Sequence, residues 1–549
     1  MSSPVRHRCG TAPRLAMLLL IVVGLAGCWH DPFAVDPLTS QEVRERLRRI
    51  DPVQLEDYER AADDSAEPGE PLPPPPAELA ISLEQCRAWA LEHNLDLQVA
   101  LVDPAIAEQG ITEAEARFEA IFFGSVNYSD TESPTASNLV GGETNSANTN
   151  LGVRVPTRAG GTVTIDFTGS RFETDNQFST LNPSFTSDMS ISLSQNLLRS
   201  AGVRVNAAPI QIARLSAQQS NARTKLEVIR ALTAVDRLYW RLYAAQRELE
   251  VRQQQHELAQ SQLDRARRLV DNGDAAEIEI MRAESGVADG LEAIIVAENQ
   301  VRQRARDLKR LLNVPELPMR GPTALIPTTP ANPVAYDLPE DALLADAMAG
   351  RLELLDLELA LAQDALNIEV ARNATLPLAA FEYRYTRNGL GDDFGDAFRQ
   401  DYQENFDGHT LGLRVEVPLG NQQARSALTR ALLVRLQRLA TVEQREAQVR
   451  QEVLDAMDTL DAAWQRVLAS RQSAILAARV LAAEQRQFDQ GLNTSTDVQD
   501  AQTRLADAQS SEVRALVDYQ VAQIDLAFAT GTVLGATQVR WEPAVLPAE

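Results

Sequence analysis

The feature that most constrains the fold is an internal duplication of a long coiled-coil pattern. Apolar residues alternate at spacings of three and four through about residues 424–488, and a matching pattern runs through about residues 206–270. A shift of 218 residues largely superposes the two stretches and carries Gly273 onto Gly491, just beyond the end of each. A repeat of 3.5 residues makes helices supercoil against their neighbours. The sequence therefore predicts two copies of one long helix, each ended by a glycine turn.

The predicted helix lengths argue for rods. Each long helix spans on the order of 100 Å at the rise of an α-helix. The apolar seam of the second copy consists of Val453, Ala456, Leu460, Ala463, Val467, Ser470, Ala474, Ala477, Leu481 and Phe488. Shorter helices are predicted at about residues 95–119, 278–312, 352–376 and 497–528. The two shorter helices of each half, laid end to end, approach the length of one long helix. This arrangement predicts a helical cylinder wall and not a domain with a cleft.

Short segments of alternating apolar and polar residues lie between the helices. They are centred on residues 122–128, 151–155, 163–167, 189–193, 381–385 and 411–417. Four fall in the first half and two in the second. Alternating strands of about ten residues fit a membrane β-barrel, and half-buried strands of a soluble sheet show the same pattern. The turn at residues 156–161 predicts a hairpin.

The amino-terminal segment indicates export and a lipid anchor. A basic stretch with Arg6 and Arg14 precedes a short apolar run that ends at Cys28, as in a signal peptide. The Leu-Ala-Gly-Cys ending resembles a bacterial lipobox, so Cys28 is the predicted lipidation site. An ordinary signal peptide with a chance cysteine is the alternative. Trp29 follows the cysteine where an aspartate would indicate inner-membrane retention, so the outer membrane is favoured.

The predicted divisions of the chain follow from these signals. A proline-rich acidic stretch predicts a stiff tether between the anchor and the body. The divisions are a signal peptide (1–27), the tether (28–80), a first repeat (81–320), a linker (321–337), a second repeat (338–535) and a tail (536–549).

The composition argues against several functions. A formal net charge of -25 disfavours binding to nucleic-acid phosphates. The histidines are not spaced as metal ligands with a partner histidine or cysteine, and His256 falls on the first coiled-coil seam. Trp240 and Trp464 lie within the long helices and are predicted to pack. We find no phosphate loop and no nucleophile elbow, so we expect no enzyme activity, no cofactor and no metal.

Three motifs resemble the TolC-like outer-membrane efflux protein family, over about residues 81–535. One is similar to the family's periplasmic turn and the helix after it. The other two are similar to its joints between strand and long helix. The motifs are Gly491-Leu492-Asn493-Thr494 with Asp497-Val498-Gln499-Asp500-Ala501, then Val417-Pro418-Leu419, and Ser194-Gln195-Asn196-Leu197-Leu198.

The resemblance implies a mainly α protein with a membrane β-barrel. Duplicated coiled-coil hairpins would form a periplasmic α-barrel, and three chains would complete a trimeric β-barrel in the outer membrane. It also implies a passive channel of a tripartite efflux or secretion system, with a homotrimer, a periplasmic adaptor and an inner-membrane pump as components. The family uses four strands per chain, so the extra hairpin is either an extracellular elaboration or part of a six-stranded contribution.

The resemblance also implies where functional residues lie. In the family, acidic residues ring the narrow periplasmic end, and these positions fall on Asp497 and Asp500. Glu279 occupies the first-half position of an acid that can lock the gate, but Asn493 replaces the basic partner, so the pair of a salt-bridge lock is incomplete in this sequence. An ordinary acidic first helical turn is the alternative for the aspartates. Adaptor contact is expected at the tip turns, which comprise Gly273, Asp274, Gly491, Leu492, Asn493 and Thr494.

Two other functions remain open at this stage. A surface-anchored structural coiled coil or adhesin explains the lipobox and the rods, but not the strands that recur in both halves. A periplasmic adaptor subunit also has a coiled-coil hairpin, usually one and not a duplicated pair. The sequence does not identify the cargo.

Overall fold

Long helices and one antiparallel sheet account for most of the described residues. The structure is a computed structural model that describes residues 78–135, 141–273, 275–321, 323–403, 406–490 and 492–540, all within the unit Pro76–Glu549. The helices are α1 Leu83–His93, α2 Leu95–Ala100, α3 Asp103–Ala116, α4 Val203–Asn206, α5 Ala208–Asp271, α6 Ile278–Leu312, α7 Glu340–Gly350, α8 Leu352–Ala374, α9 Phe394–Gln403, α10 Gln422–Asp489, α11 Ser495–Ala529 and α12 Val533–Ala536. The strands are β1 Glu78–Ile81, β2 Ile121–Glu132, β3 Glu143–Pro156, β4 Gly161–Thr174, β5 Ser184–Asn196, β6 Ala324–Pro327, β7 Leu378–Gly391 and β8 Asp407–Glu416.

The two long predicted helices are confirmed as α5, with 64 residues, and α10, with 68 residues. Each folds back on a helix of 35 residues, α6 or α11, to make a hairpin. Along α10 every seventh residue of the seam is at most 7% exposed: Val453, Leu460, Val467, Ala474, Leu481 and Phe488. This spacing confirms the repeat of 3.5 residues, because a helix with a seven-residue repeat keeps one face against its neighbours.

The predicted continuous helix at residues 95–119 is wrong in one respect. The segment forms two helices, α2 and α3, and Pro104 lies in the first turn of α3. Proline lacks a backbone N–H and fits the first turn of a helix but not its interior. A new helix therefore starts at the proline.

A buried arginine fastens the second composite rod where α7 gives way to α8. Arg351 lies between these helices, and its side chain is 3% exposed. Its guanidinium pairs with Glu353 at 3.1 Å and with Glu452 of α10 at 2.7 Å. It also donates to the carbonyl oxygen of Ala529, at the end of α11. Four helices therefore meet at one side chain, and the fork of donors on a guanidinium suits this role.

All six predicted strand segments belong to one antiparallel sheet, in the order β2-β3-β4-β5-β7-β8. The pairing of β5 with β7 joins the two halves of the chain. A separate parallel pair, β1 with β6, ties the start of the body to the segment between the halves.

The two faces of the large sheet differ in polarity. Because side chains alternate across a strand, the register assigns each residue to a face. One face, here the apolar face, carries large side chains between 36% and 75% exposed: Phe122, Val126, Tyr128, Leu151, Val153, Val155, Ile165, Met189, Leu193, Phe381, Leu411, Leu413 and Val415. The opposite face is polar and includes Ser125, Asn127, Asn148, Asn150, Thr164, Asp166, Ser190, Ser192, Glu382, Arg384 and Thr410.

The short helix α9 packs on part of the apolar face. The rings of Phe394 and Phe185 lie 6.1 Å apart, edge to face. A Cβ atom at Gly169 would lie 2.3 Å from the ring of Phe394, so this close packing requires a glycine.

The hairpin predicted at residues 156–161 is confirmed and lies at the helical end of the sheet. The amide of Gly202, which precedes α4, donates to the carbonyl oxygen of Ala159 at 2.9 Å. The side-chain amide of Asn206 in turn donates to the carbonyl oxygen of Ser200. The turn between β3 and β4 therefore sits beside the start of the long helix α5. Within the described ranges, no helix is both long and apolar enough to cross a membrane.

Candidate functional site

The tip of the second hairpin is built around Asn493 and Thr494. The Asn493 side-chain amide donates to Glu484 and, at 2.7 Å, to Gln487, both on the preceding helix α10. The amide of Leu492 donates to the carbonyl oxygen of Gln487 at 3.0 Å, and the Leu492 side chain is 70% exposed. The residue predicted to replace a gate-locking base therefore bonds within its own hairpin.

Asp497 closes a capping box at the start of α11. Its carboxylate accepts the backbone N–H of Thr494 at 2.9 Å and the Thr494 hydroxyl at 2.7 Å. Such a box satisfies donors that the first helical turn leaves without a partner. These bonds, the backbone one first, lower the pKa of Asp497 below its ordinary value of 3.8. The exposed carboxylate therefore stays charged in acid.

Asp500 lies one helical turn further along α11 and is also exposed. Among the described residues its carboxylate makes neither an ion pair nor a hydrogen bond. Residues three apart lie on the same side of a helix, so Asp497 and Asp500 present two charges on one side of the tip.

Glu279, at the start of α6, connects the two hairpins. Its carboxylate accepts the backbone N–H of Ser495 at 2.8 Å and pairs with Arg282 at 2.6 Å. The Glu279 side chain is only 12% exposed. An anion at the amino end of a helix is favoured by the helix dipole, so Glu279 also serves as a cap for α11. Sequence reasoning identified the residue but missed this contact.

Further contacts hold the tips of the two hairpins together within one chain. The side-chain amide of Gln262 on α5 donates to the hydroxyl of Ser495 at 3.3 Å, and Ser495 is 1% exposed. Arg265 pairs with Asp489 at 2.5 Å, which joins the ends of α5 and α10. Phe488 is buried in a small apolar cluster with Leu481, Val498 and Ala501. Its packing matches its position on the seam.

The turn of the first hairpin is more open. Gly273 has a φ of +81°, and a Cβ atom there would meet nothing within 4 Å. Glycine is required by the backbone conformation and not by crowding. Asp274, Gly491 and the lipidation site Cys28 fall outside the described residues. The described turn residues Gly273, Leu492, Asn493 and Thr494 lie at the ends of the hairpins.

The acidic side chains of the tip differ in how their charge is compensated. The charge of Glu279 is compensated inside the chain by Arg282 and an amide. The carboxylates of Asp497 and Asp500 are exposed, and no cation among the described residues forms an ion pair with either, although the charge of Arg282 helps to lower the pKa of Asp497. Trp240 and Trp464 pack against Tyr239 and Tyr519 at ring distances of 5.5 Å, which confirms that both tryptophans are packing residues.

The family model and a curated relative both match outer-membrane proteins. The model of the family described as outer membrane efflux protein matches residues 162–314 and 343–532. Outer membrane protein TolC of Vibrio cholerae is 28% identical over 198 residues, which is 35% of this chain and 44% of that protein. The match therefore spans less than half of TolC.

Solved structures share the fold over most of the chain. The CmeC outer membrane channel of Campylobacter jejuni matches with a TM-score of 0.59 and 14% identity, over 82% of this chain and 85% of that chain. The open state of the MtrE outer membrane channel of Neisseria gonorrhoeae matches with a TM-score of 0.58 and 17% identity, over 82% of this chain and 89% of that one. With the family model matching more than half of its residues, the chain belongs to the outer membrane efflux protein family.

Proposed function

We propose that three copies of this chain form a passive duct that carries cargo out of the cell across the outer membrane. The observation that carries the proposal is an exposed apolar stripe in the first third of α10, which no helix among the described residues covers. Leu432, Leu436 and Leu439 are 47%, 63% and 42% exposed and follow the same spacing of four and three. A stripe of this kind is buried in a coiled-coil assembly. A neighbouring copy of the chain supplies the missing helix.

The proposed gate lies at the hairpin tips. Asp497 and Asp500 from three chains place six carboxylates around the narrow end of the duct, where a ring of acidic side chains favours cations. Glu279 holds the two hairpins of each chain together, so its part in the gate is to keep the tips closed. The contacts of Asp497 with Thr494 support this proposal by fixing where the charge lies.

The partners are proposed from the family and from exposure. A periplasmic adaptor binds the tip turns, and an inner-membrane pump supplies the energy. The tip turns comprise Gly273, Asp274, Gly491, Leu492, Asn493 and Thr494. A lipid on Cys28 anchors the chain to the outer membrane.

The test is the single-channel conductance of purified protein in a planar bilayer. We compare the wild type with the double variant Asp497→Ala and Asp500→Ala. The matched control is Asp458→Ala with Asp461→Ala, which removes two exposed acids of the same spacing from the middle of α10. Small cation-selective pores that become larger and less selective only in the tip variant support both the duct and the gate.

Other outcomes separate the duct from its gate. A conducting wild type with an unchanged tip variant retains the duct and removes the gate. Folded protein that inserts into the bilayer but never conducts, even with the tip acids replaced, returns the function to a surface-anchored structural coiled coil or adhesin.

A further inference from the structure

The first hairpin of the sheet, β2 with β3, lies outside the matched part of the family. The family model begins at residue 162, within β4. The hairpin is nevertheless fully integrated into the sheet. Strand β2 pairs with β3 from Ile121 opposite Arg154 to Glu132 opposite Glu143. Strand β3 pairs with β4 over a similar length, so the ladder continues without a break.

The polarity of the sheet also continues through this hairpin. Phe122 and Val126 of β2 are 71% and 75% exposed, and the register places them on the apolar face beside Val153 and Leu151 of β3. An elaboration above a membrane has no need of one long apolar face, whereas a strand between lipid and a watery interior does. The two strands of this hairpin therefore have the same apolar and polar faces as the other four strands of the sheet.

The position of the hairpin decides which strand is free to pair with another copy. Strand β4 has both edges occupied, by β3 on one side and β5 on the other. Among the strands that the structure describes, the free edges of the six-stranded sheet belong to β2 and β8. These strands have 12 and 10 residues, so their edges are of similar length. An open edge of unpaired N–H and C=O groups is a template for another strand.

We infer that β2 of one copy pairs with β8 of the next, so that the sheet of the assembly closes with eighteen strands instead of twelve. The inference rests on the proposed three-chain duct and adds the composition of its interface and its width. For strands about 4.8 Å apart and tilted by about 40°, eighteen strands give a diameter of roughly 36 Å between backbones, against roughly 24 Å for twelve. The polar residues of all six strands line the wider passage, and the size limit for cargo in the membrane rises accordingly.

Disulfide cross-linking tests the interface. In a Cys86→Ala background, Val126→Cys on β2 is combined in turn with His409→Cys, Leu411→Cys, Leu413→Cys or Val415→Cys on β8. All these positions share the apolar face. The matched series replaces Val126→Cys by Ile165→Cys on β4, with the same four partners. A within-chain control, Ile165→Cys with Ile191→Cys, joins residues that are directly opposite in β4 and β5.

The inference expects covalent dimers and trimers from at least one β2 pair after mild oxidation, and none from the β4 series. Intermolecular products from the β4 series overturn it, because β4 would then be the edge strand and the first hairpin would lie outside the closed sheet. A trimeric mass in detergent with no product from either series overturns it as well, provided that the within-chain control forms its disulfide. A monomeric mass for folded protein instead contradicts the three-chain duct, so the two failures are distinguishable.

Discussion

The carboxylate of Glu279 accepts the backbone N–H of Ser495 at 2.8 Å, and this bond joins two hairpins whose contacting residues lie 216 positions apart in the chain. It fixes the amino end of α11, and Asp497 and Asp500 lie in the first two turns of that helix. Glu279 therefore holds the helix end that carries both aspartates.

Replacing Glu279 by alanine should loosen the tip without unfolding the rods. A hydrogen bond to a charged group contributes about 1.5 kcal/mol or more, so amide exchange around Ser495 should become roughly tenfold faster. Hydrogen–deuterium exchange followed by mass spectrometry over this segment measures the change, and a larger single-channel conductance should accompany it. The control is Glu277→Ala, since Glu277 is an acid at the same helix end whose side chain makes no cap bond. Equal exchange in both variants would remove the structural role given to Glu279.

The charge of Asp497 should survive acidification further than that of an ordinary aspartate. Its pKa in the folded protein is below 3.8 because Thr494 donates two hydrogen bonds to the carboxylate. Its contribution to stability is therefore present above the unfolded pKa and is lost as the pH falls through the folded one. In the Asp500→Ala protein, cation selectivity measured by reversal potential should therefore fall to half at a pH below 3.8, the ordinary pKa of an aspartate.

The hydroxyl of Thr494 provides the internal check on this behaviour. Thr494→Val removes one of the two donors, so the pKa of Asp497 should rise and selectivity should decline at a higher pH. If the valine variant titrates like its parent, the hydrogen bonds are not what holds the charge at the tip.

The long helices could be predicted from the sequence because the seven-residue repeat of their apolar residues is visible within each segment. Val453, Leu460 and Val467 recur every seven residues, and only a supercoiled helix keeps such residues on one face. The six strand segments were predictable for the same reason, since alternation is visible within each segment. The order of the strands in the sheet could not be predicted. The alternation within β2 does not say which strands lie beside it.

The contacts of the tip could be predicted only in part. Asp497 and Asp500 were found from the residues after the turn, and Thr494 followed by Asp497 is itself a local capping signal. The bond from Ser495 to Glu279 depends on how two hairpins pack side by side. No local sequence pattern at either residue predicts the other as its partner, and the same holds for Arg351 and Glu452.

A buried ion pair joins α1 to the long helix α5, and removing only one of its two partners should destabilise the protein. Arg87 makes a two-point contact with Asp236, at 2.8 Å and 2.6 Å, and Asp236 is 1% exposed. Burial raises the pKa of Asp236, although the bonds from Arg87 act in the opposite direction. Arg87→Leu leaves this carboxylate without its partner and should destabilise the protein by about 3 kcal/mol.

The double variant Arg87→Leu with Asp236→Leu is the matched comparison. It removes both charges together, so its thermal midpoint, followed by circular dichroism in detergent, should recover most of the loss. A double variant as unstable as Arg87→Leu would show that packing around the guanidinium stem, and not the stranded charge, dominates.

The thiol of Cys86 should be inert in the folded protein and should report on the lipid anchor. Burial, with a smaller contribution from Asp236, raises the pKa of Cys86 to about 12 from 9.0. Only the thiolate reacts, so alkylation near neutral pH should be roughly a thousandfold slower than for a free thiol. The chain has three cysteines, of which Cys9 lies in the predicted signal peptide and Cys28 is blocked if it carries lipid. Mass spectrometry after maleimide treatment should therefore find no label on native protein and one label after unfolding in urea.

Two outcomes would contradict these expectations. A second label after unfolding would mean that Cys28 is a free thiol and that the lipid anchor is wrong. Fast labelling of native protein would show that the site around Cys86 opens.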